Sequence, residues 1–277
     1  MGTKYWREQW DRDGYIIVEN ALDSVGLDRI RSAYEAVEAD QAPAWRESVA
    51  KETYGTAYGN GPDAHTMRNI YDYDDIFLDL AENPIVTPII EDVVGPNFQV
   101  MEMICHNHHS GTKAHTGWHR DWPPYVHPQF ALKVKVFYFL DDQDEDMGCF
   151  TLVPGSHKLE ENPDREKYTR QNLTDMPDHK KMVAPAGSAV IWNVICWHTG
   201  LANVSAKDRR LVIYGYMPFW VKKYEAKEIP QSIVAWANTP MRRQIIGIHA
   251  VHGRNVWDRT DVDRLPDQDD AFRGAHG

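Results

Sequence analysis

The stretch His115-Thr-Gly-Trp-His-Arg-Asp-Trp122 decides how the rest of the chain is read. It contains His119 and Asp121 in a His-x-Asp arrangement. In an extended segment, residues i and i+2 point to the same face, so one imidazole and one carboxylate converge on a common point. A second histidine from a distant strand would complete a facial triad of two histidines and one carboxylate, which leaves open positions on an octahedral iron. His198, in Cys196-Trp-His-Thr-Gly200, is the leading candidate because it follows an apolar strand, and Arg209 lies 11 residues beyond it.

Outward from that stretch, the texture is one of short strands. Residues 98–105, 131–140, 149–153, 189–192 and 211–216 are apolar or β-branched runs separated by turn residues. Several such strands with Gly/Pro punctuation predict a sandwich or barrel. The part before residue 97 reads differently. Residues 15–18 form a short β-rich run, and Leu27, Ile30, Ala33, Tyr34 and Val37 then follow helical spacing, with Asp23 or Ser24 as the cap. Pro43, Gly55, Gly59, Gly61 and Pro62 predict a long loop over 41–66, a candidate lid. Residues 74–81 read as helical, and Asn83 caps a further helix that has Pro84 at its first position and Gly95 past its end. Helix-like spacing returns over 233–247, and an acidic tail follows over 258–270. No linker is visible. The expectation is one domain over 1–277: a helical part to about 96, a β core over about 97–220, and a helical, acidic remainder.

Composition narrows the function classes. The chain has 277 residues, 42% hydrophobic and 26% charged, enough for a sizeable core. Its formal net charge of −11 does not suit a protein that neutralises nucleic-acid phosphates or anionic membrane surfaces. The longest apolar run, 211–221, is too short to span a bilayer. Three cysteines without a C-x-x-C pair argue against a disulfide framework, and together with the absence of a signal peptide they predict a cytoplasmic protein. No Gly-x-Ser-x-Gly, Walker A or Gly-x-Gly-x-x-Gly pattern supports a serine hydrolase, P-loop NTPase or Rossmann dehydrogenase.

Several motifs in order resemble the phytanoyl-CoA dioxygenase family of Fe(II)/2-oxoglutarate oxygenases. They are Asp13-Gly-Tyr-Ile-Ile-Val18, Trp118-His-Arg-Asp121, and Met147-Gly-Cys-Phe-Thr-Leu-Val-Pro-Gly-Ser-His-Lys158. Pro185-Ala-Gly-Ser-Ala-Val-Ile-Trp192 and Trp197-His-Thr-Gly-Leu-Ala-Asn203, leading to Asp208-Arg-Arg-Leu211, complete the set. The resemblance implies a mainly β fold with flanking helices, built on a double-stranded β-helix (jelly-roll, cupin-like) core. It implies His119, Asp121 and His198 as Fe(II) ligands. Arg209 would pair with the distal carboxylate of 2-oxoglutarate, and Asn107 would stand near that cosubstrate. No side chain beyond the metal ligands need act as an acid or base. The implied reaction consumes O2, converts 2-oxoglutarate to succinate and CO2, and hydroxylates or otherwise oxidises a small-molecule substrate, a natural product or other metabolite. Asp121 fills the position that related halogenases leave to halide. An acyl-CoA substrate, and a non-catalytic jelly roll that binds metal or ligand, are the alternatives.

Other residues bear on the reading. Trp122 and Tyr125 follow the metal segment and are candidates for substrate contact at the mouth, whereas Trp118 alternates with His119 and should face the core. Cys105-His-Asn-His-His109 holds possible metal ligands, but no second cluster at zinc-finger spacing accompanies it. His157 and the pair His249 and His252 read as structural or surface histidines. The acidic run over 141–146 reads as a solvated hairpin loop. Substrate identity and oligomeric state are not legible.

Overall fold

The computed structural model describes residues 3–54, 61–114, 116–127, 130–221 and 229–248. Its β-strands form two antiparallel sheets. The larger contains β1 (Tyr15–Val18), β2 (Ala64–Met67), β3 (Phe98–His108), β4 (Val134–Phe139), β7 (Ala189–Asn193) and β9 (Arg209–Pro218), in the order β1-β7-β4-β9-β3-β2. The smaller contains β5 (Phe150–Leu152), β6 (Lys180–Lys181) and β8 (His198–Gly200), in the order β6-β5-β8.

Each central strand of the large sheet is buried on both faces. On β9, Val212, Tyr214 and Tyr216 pack toward the helices, while Leu211 and Ile213 face the interior between the sheets. On β4, Val134, Val136 and Tyr138 take the helical side, and Phe137 and Phe139 the interior. The helical layer comprises α2 (Ser24–Ala50), α3 (Ile76–Leu80) and α4 (Thr87–Val94), whose Ile30, Tyr34, Val37, Phe77 and Ile90 join that cluster. The hydroxyls of Tyr214 and Tyr216 donate to the carbonyls of Phe77 and Ala81, so the sheet and helices share buried hydrogen bonds. Interior residues from both sheets, including Phe137, Phe150, Leu152 and Trp192, form the second core. This is the jelly-roll arrangement implied by the resemblance.

A bulge in β3 reverses its parity. The register with β9 shifts between Val100 and Glu102. Phe98 and Val100 belong to the helix-side core, whereas Ile104 belongs to the interior one and Cys105 to the helical side. A bulge adds one unpaired residue, and every side chain beyond it changes face.

Three expectations are corrected. The stretch over 41–66 is not a loop throughout: α2 continues through Pro43 to Ala50, and β2 occupies Ala64–Met67. Proline removes one backbone donor from a helix interior. Here Gln41 on α2 donates from Nε2 to the Arg68 carbonyl and accepts from the Arg68 N–H, and Trp45 stacks on His65 and His109, so tertiary contacts hold the helix across the break. Between α2 and β2, residues 55–60 of the expected lid lie outside the described residues. Asn83 caps a turn through Ile85 and Val86, and α4 begins at Thr87. The helical stretch over 233–247 is two short helices, α5 (Gln231–Trp236) and α6 (Pro240–Ile245). The acidic tail and His249 and His252 lie outside the described residues.

Candidate metal centre and cosubstrate cavity

His119 and His198 are brought together by the backbone. Their peptide groups exchange hydrogen bonds in both directions at 3.0 Å, an antiparallel bridge between the 118–121 segment and β8. Asp121 is fixed in turn by its N–H donating to the Val194 carbonyl at 2.9 Å. Nδ1 of His119 donates to the Gly117 carbonyl at 2.7 Å, and Nδ1 of His198 to the Cys196 carbonyl at 2.9 Å. A histidine whose Nδ1 proton is so engaged presents the Nε2 lone pair to a metal.

Both Nε2 atoms face one carboxylate oxygen. Asp121 Oδ1 is 3.5 Å from His119 Nε2 and 3.7 Å from His198 Nε2. All three potential ligand atoms lie within 4.8 Å of one another. Cis ligands with bonds of ~2.1 Å to an octahedral ion stand about 3 Å apart, so a small closure of these groups suits a single ion. Burial, with repulsion from His119, lowers the His198 pKa to about 3, so its imidazole is neutral and able to ligate. Burial opposes ionisation of Asp121, but Lys135, 2.8 Å from Oδ2, and the two histidines hold its carboxyl well below the ordinary range. Among the described residues this is the one cluster of three such groups. The Cys105 to His109 run builds no second one.

The triad lines a cavity of about 410 Å³. Arg209 lines the same cavity and is 3% exposed. Its Nε and Nη1 have no hydrogen-bond partner, and burial lowers its pKa to about 10, which leaves it cationic at neutral pH. Arg210, on the other face of β9, makes a two-pronged hydrogen bond to Asp141 and reaches Glu35. An uncompensated buried guanidinium is costly, and a carboxylate is the group its planar fork matches best.

The structure separates the remaining expected site residues from this cavity. Asn107 faces the helical side, where its Nδ2 donates to Glu38 at 2.6 Å and Asp208 at 2.9 Å. Past the β3 bulge it is His106 that lines the cavity. Trp122 and Tyr125 are exposed, at 50% and 67%, and neither lines the cavity. Tyr125 instead borders a separate groove of about 480 Å³ with Trp10, Lys133 and His157. Trp118 is fully buried, with its indole N–H on the Leu173 carbonyl. His157 is half-buried against Gly14 at the edge of that groove, and burial lowers its pKa to about 4. The acidic run serves local bracing: Asp141 holds Arg210, and Asp142 accepts from the Ala186 N–H. Composition and spacing drew no attention to Glu102, Lys133 and Lys135, although two lysines two residues apart in an apolar strand are an irregularity.

Known proteins resemble this chain in sequence or in fold. L-proline trans-4-hydroxylase of Streptomyces griseoviridis is 20% identical over 234 residues, covering 75% of this chain and 84% of that protein. HygX from Streptomyces hygroscopicus, crystallised with nickel and 2-oxoglutarate, superposes with a TM-score of 0.62 at 18% identity, covering 81% of this chain and 91% of HygX. The α-ketoglutarate-dependent epimerase SnoN from nogalamycin biosynthesis gives a TM-score of 0.59 at 18% identity, over 82% of this chain and 89% of SnoN. The family model for phytanoyl-CoA dioxygenase (PhyH) matches residues 10–211, a span that includes the converging histidines, the carboxylate and the buried arginine, and this chain belongs to that family.

Proposed function

We infer that the protein is an Fe(II)/2-oxoglutarate-dependent dioxygenase that oxidises a C–H bond of a small molecule. The observation that carries this reading is Arg209, a buried guanidinium with two unpaired N–H donors in the cavity of the triad. A metal site without a dicarboxylate cosubstrate would have no use for it. His119, Asp121 and His198 hold the iron, and Arg209 takes the far carboxylate of 2-oxoglutarate. Iron with 2-oxoglutarate supplies the oxidising power: O2 is consumed, succinate and CO2 leave, and one oxygen atom goes to the substrate in a hydroxylation.

The chain's own groups position and shield. Backbone carbonyls of Gly117 and Cys196 keep both imidazoles in the ligating tautomer. Trp192 and Phe150 pack on His198, with ring centroids at 4.5 and 5.8 Å, and keep water from that side. Ile104, Phe137, Leu211 and Ile213 give the cavity an apolar wall for the substrate's carbon skeleton. Among the described residues no helix is long and apolar enough to cross a membrane. The test is calorimetric titration of 2-oxoglutarate into anaerobic Fe(II)-loaded protein. Wild type should bind one equivalent, and retention of full affinity in Arg209→Met would overturn the role given to Arg209.

A further inference from the structure

Lys135 on β4 touches the triad without being one of its ligand groups. On that strand Val134, Val136 and Tyr138 face the helical layer, and Lys135 shares parity with Phe137 and Phe139, which face the interior. Lys135 therefore lines the cavity beside His119, Asp121 and His198. Its Nζ forms an ion pair with Asp121 Oδ2 at 2.8 Å. The other oxygen, Oδ1, is the one that stands 3.5 and 3.7 Å from the two Nε2 atoms. The carboxylate is thus divided, with one oxygen toward the histidines and the other on the lysine.

Lys135 is itself held in place. Glu102 occupies the space between Lys135 and Lys133, with its Oε2 3.6 Å from each Nζ. Lys133 comes to it from the side of the separate groove, whereas Glu102 and Lys135 line the triad cavity. The bulge in β3 gives Glu102 the parity of Ile104 and His106, which also line that cavity. Gly215, the register partner of Glu102 on β9, leaves room for it: a Cβ there would stand 3.1 Å from Glu102 Cβ and 3.2 Å from Lys133 Cε. Lys133, Glu102, Lys135 and Asp121 form a row of alternating charge, and pairing of this kind is what lets charged groups be buried.

The main chain alone does not orient the carboxylate. The hydrogen bond from the Asp121 N–H to the Val194 carbonyl fixes the backbone, and the side chain can still turn about its own bonds. A carboxylate binds a metal through one oxygen or through both. One atom from each member of the triad leaves half of an octahedron open, and a second oxygen from Asp121 would close one of those positions. A chelating α-keto acid with O2 beside it needs all of them. An ammonium beside a dication site also opposes metal binding by charge repulsion, so stronger binding of the metal is not what Lys135 provides.

We propose that Lys135 is a positioning residue: by holding Oδ2 it makes Asp121 a ligand through Oδ1 alone and keeps a coordination position open for the cosubstrate and O2. This role rests on the dioxygenase reading. Ligating carboxylates are generally fixed by a neighbouring group, and Lys135 is the neighbour here. Glu102 acts one step further out, by keeping Lys135 Nζ from swinging away.

The experiment uses the full chain with Mn(II) as the probe, because the relaxation of water protons by bound Mn(II) counts the waters coordinated to it. Wild type should hold about three. Lys135→Met should hold one fewer, with Mn(II) affinity equal to or above that of wild type and 2-oxoglutarate bound about tenfold more weakly or worse. Lys135→Gln is polar but too short to reach Oδ2, so it should behave in the same way and covers a folding defect in the Met variant. Lys135→Arg keeps a cationic donor and should retain the wild-type count. An unchanged count in both Lys135→Met and Lys135→Gln, or metal affinity that falls together with melting temperature, would overturn the proposal. The visible band of wild type with Fe(II) and 2-oxoglutarate, recorded alongside, tests the dioxygenase reading separately. A missing band with the water counts as expected would contradict that reading and uphold the hold on Asp121, whereas a normal band with unchanged counts would contradict the role of Lys135 alone.

Discussion

Arg209 and Arg210 are adjacent and chemically identical, yet one lies unpaired in the cavity and the other is tied to Asp141 and Glu35. Removing the buried partner of a carboxylate costs about 3–5 kcal/mol, so Arg209→Met should weaken 2-oxoglutarate binding by about a hundredfold or more. Arg210→Met should leave that affinity intact and lower stability instead. Asn107 makes the complementary case. Its two hydrogen bonds to carboxylates brace α2 against the start of β9. Asn107→Ala should lower unfolding free energy by about 1–3 kcal/mol in a urea melt and leave cosubstrate affinity unchanged. A loss of 2-oxoglutarate binding there would restore the role first expected of it. His119 and Asp121 were legible because a two-residue spacing in extended chain fixes their shared face whatever the surroundings. Parity on β9 was not, because Leu211 and Ile213 are as apolar as Val212 and Tyr214, and a strand buried on both faces gives no alternation to read. Lys135 was overlooked for a related reason: an apolar strand reads as core even where one face lines a polar cavity.

At the scale of elements, the β-core strands were legible from their apolar runs and turn residues. Strands β2, β6 and β8 were not: β2 lay within the stretch read as loop, and Lys180–Lys181 and His198–Gly200 carry no apolar run. Residues 41–50 form helix where Pro43 alone argues for a break, and what overrides it is long-range contact from Gln41 and Trp45. The bulge in β3 is equally silent in sequence and decides that His106 rather than Asn107 enters the cavity. The turn before β5 is held by Gly148, at φ +67°, and a Cβ there would run into the ring of His108. Gly148→Ala combines an unfavourable backbone region with that overlap, and should cost about 2 kcal/mol or more of stability. An unchanged melting temperature would show that the His108 ring can move aside.

For the whole molecule, several buried histidines set a common pH response. Burial, the leading cause in each, lowers the pKa of His65, His108 and His157 to about 4 from the ordinary 6.5. Between those values the unfolded chain binds more protons than the folded one, so stability falls as pH drops from about 6.5 toward 4 and is flat above. Urea midpoints at pH 7.5 and 5 should differ accordingly, and equal midpoints would contradict the burial of neutral imidazoles. The fold brings together a triad on two segments, an arginine on a third, and Glu102 and Lys135 from two further strands, all lining one cavity. The most direct test of that convergence is the anaerobic visible spectrum of the protein as Fe(II) and then 2-oxoglutarate are added. A weak charge-transfer band that requires both additions, and is lost in Asp121→Ala and His198→Ala, is the predicted result. Iron bound in stoichiometric amount with no band on adding 2-oxoglutarate would contradict the dioxygenase reading and the role given to Arg209.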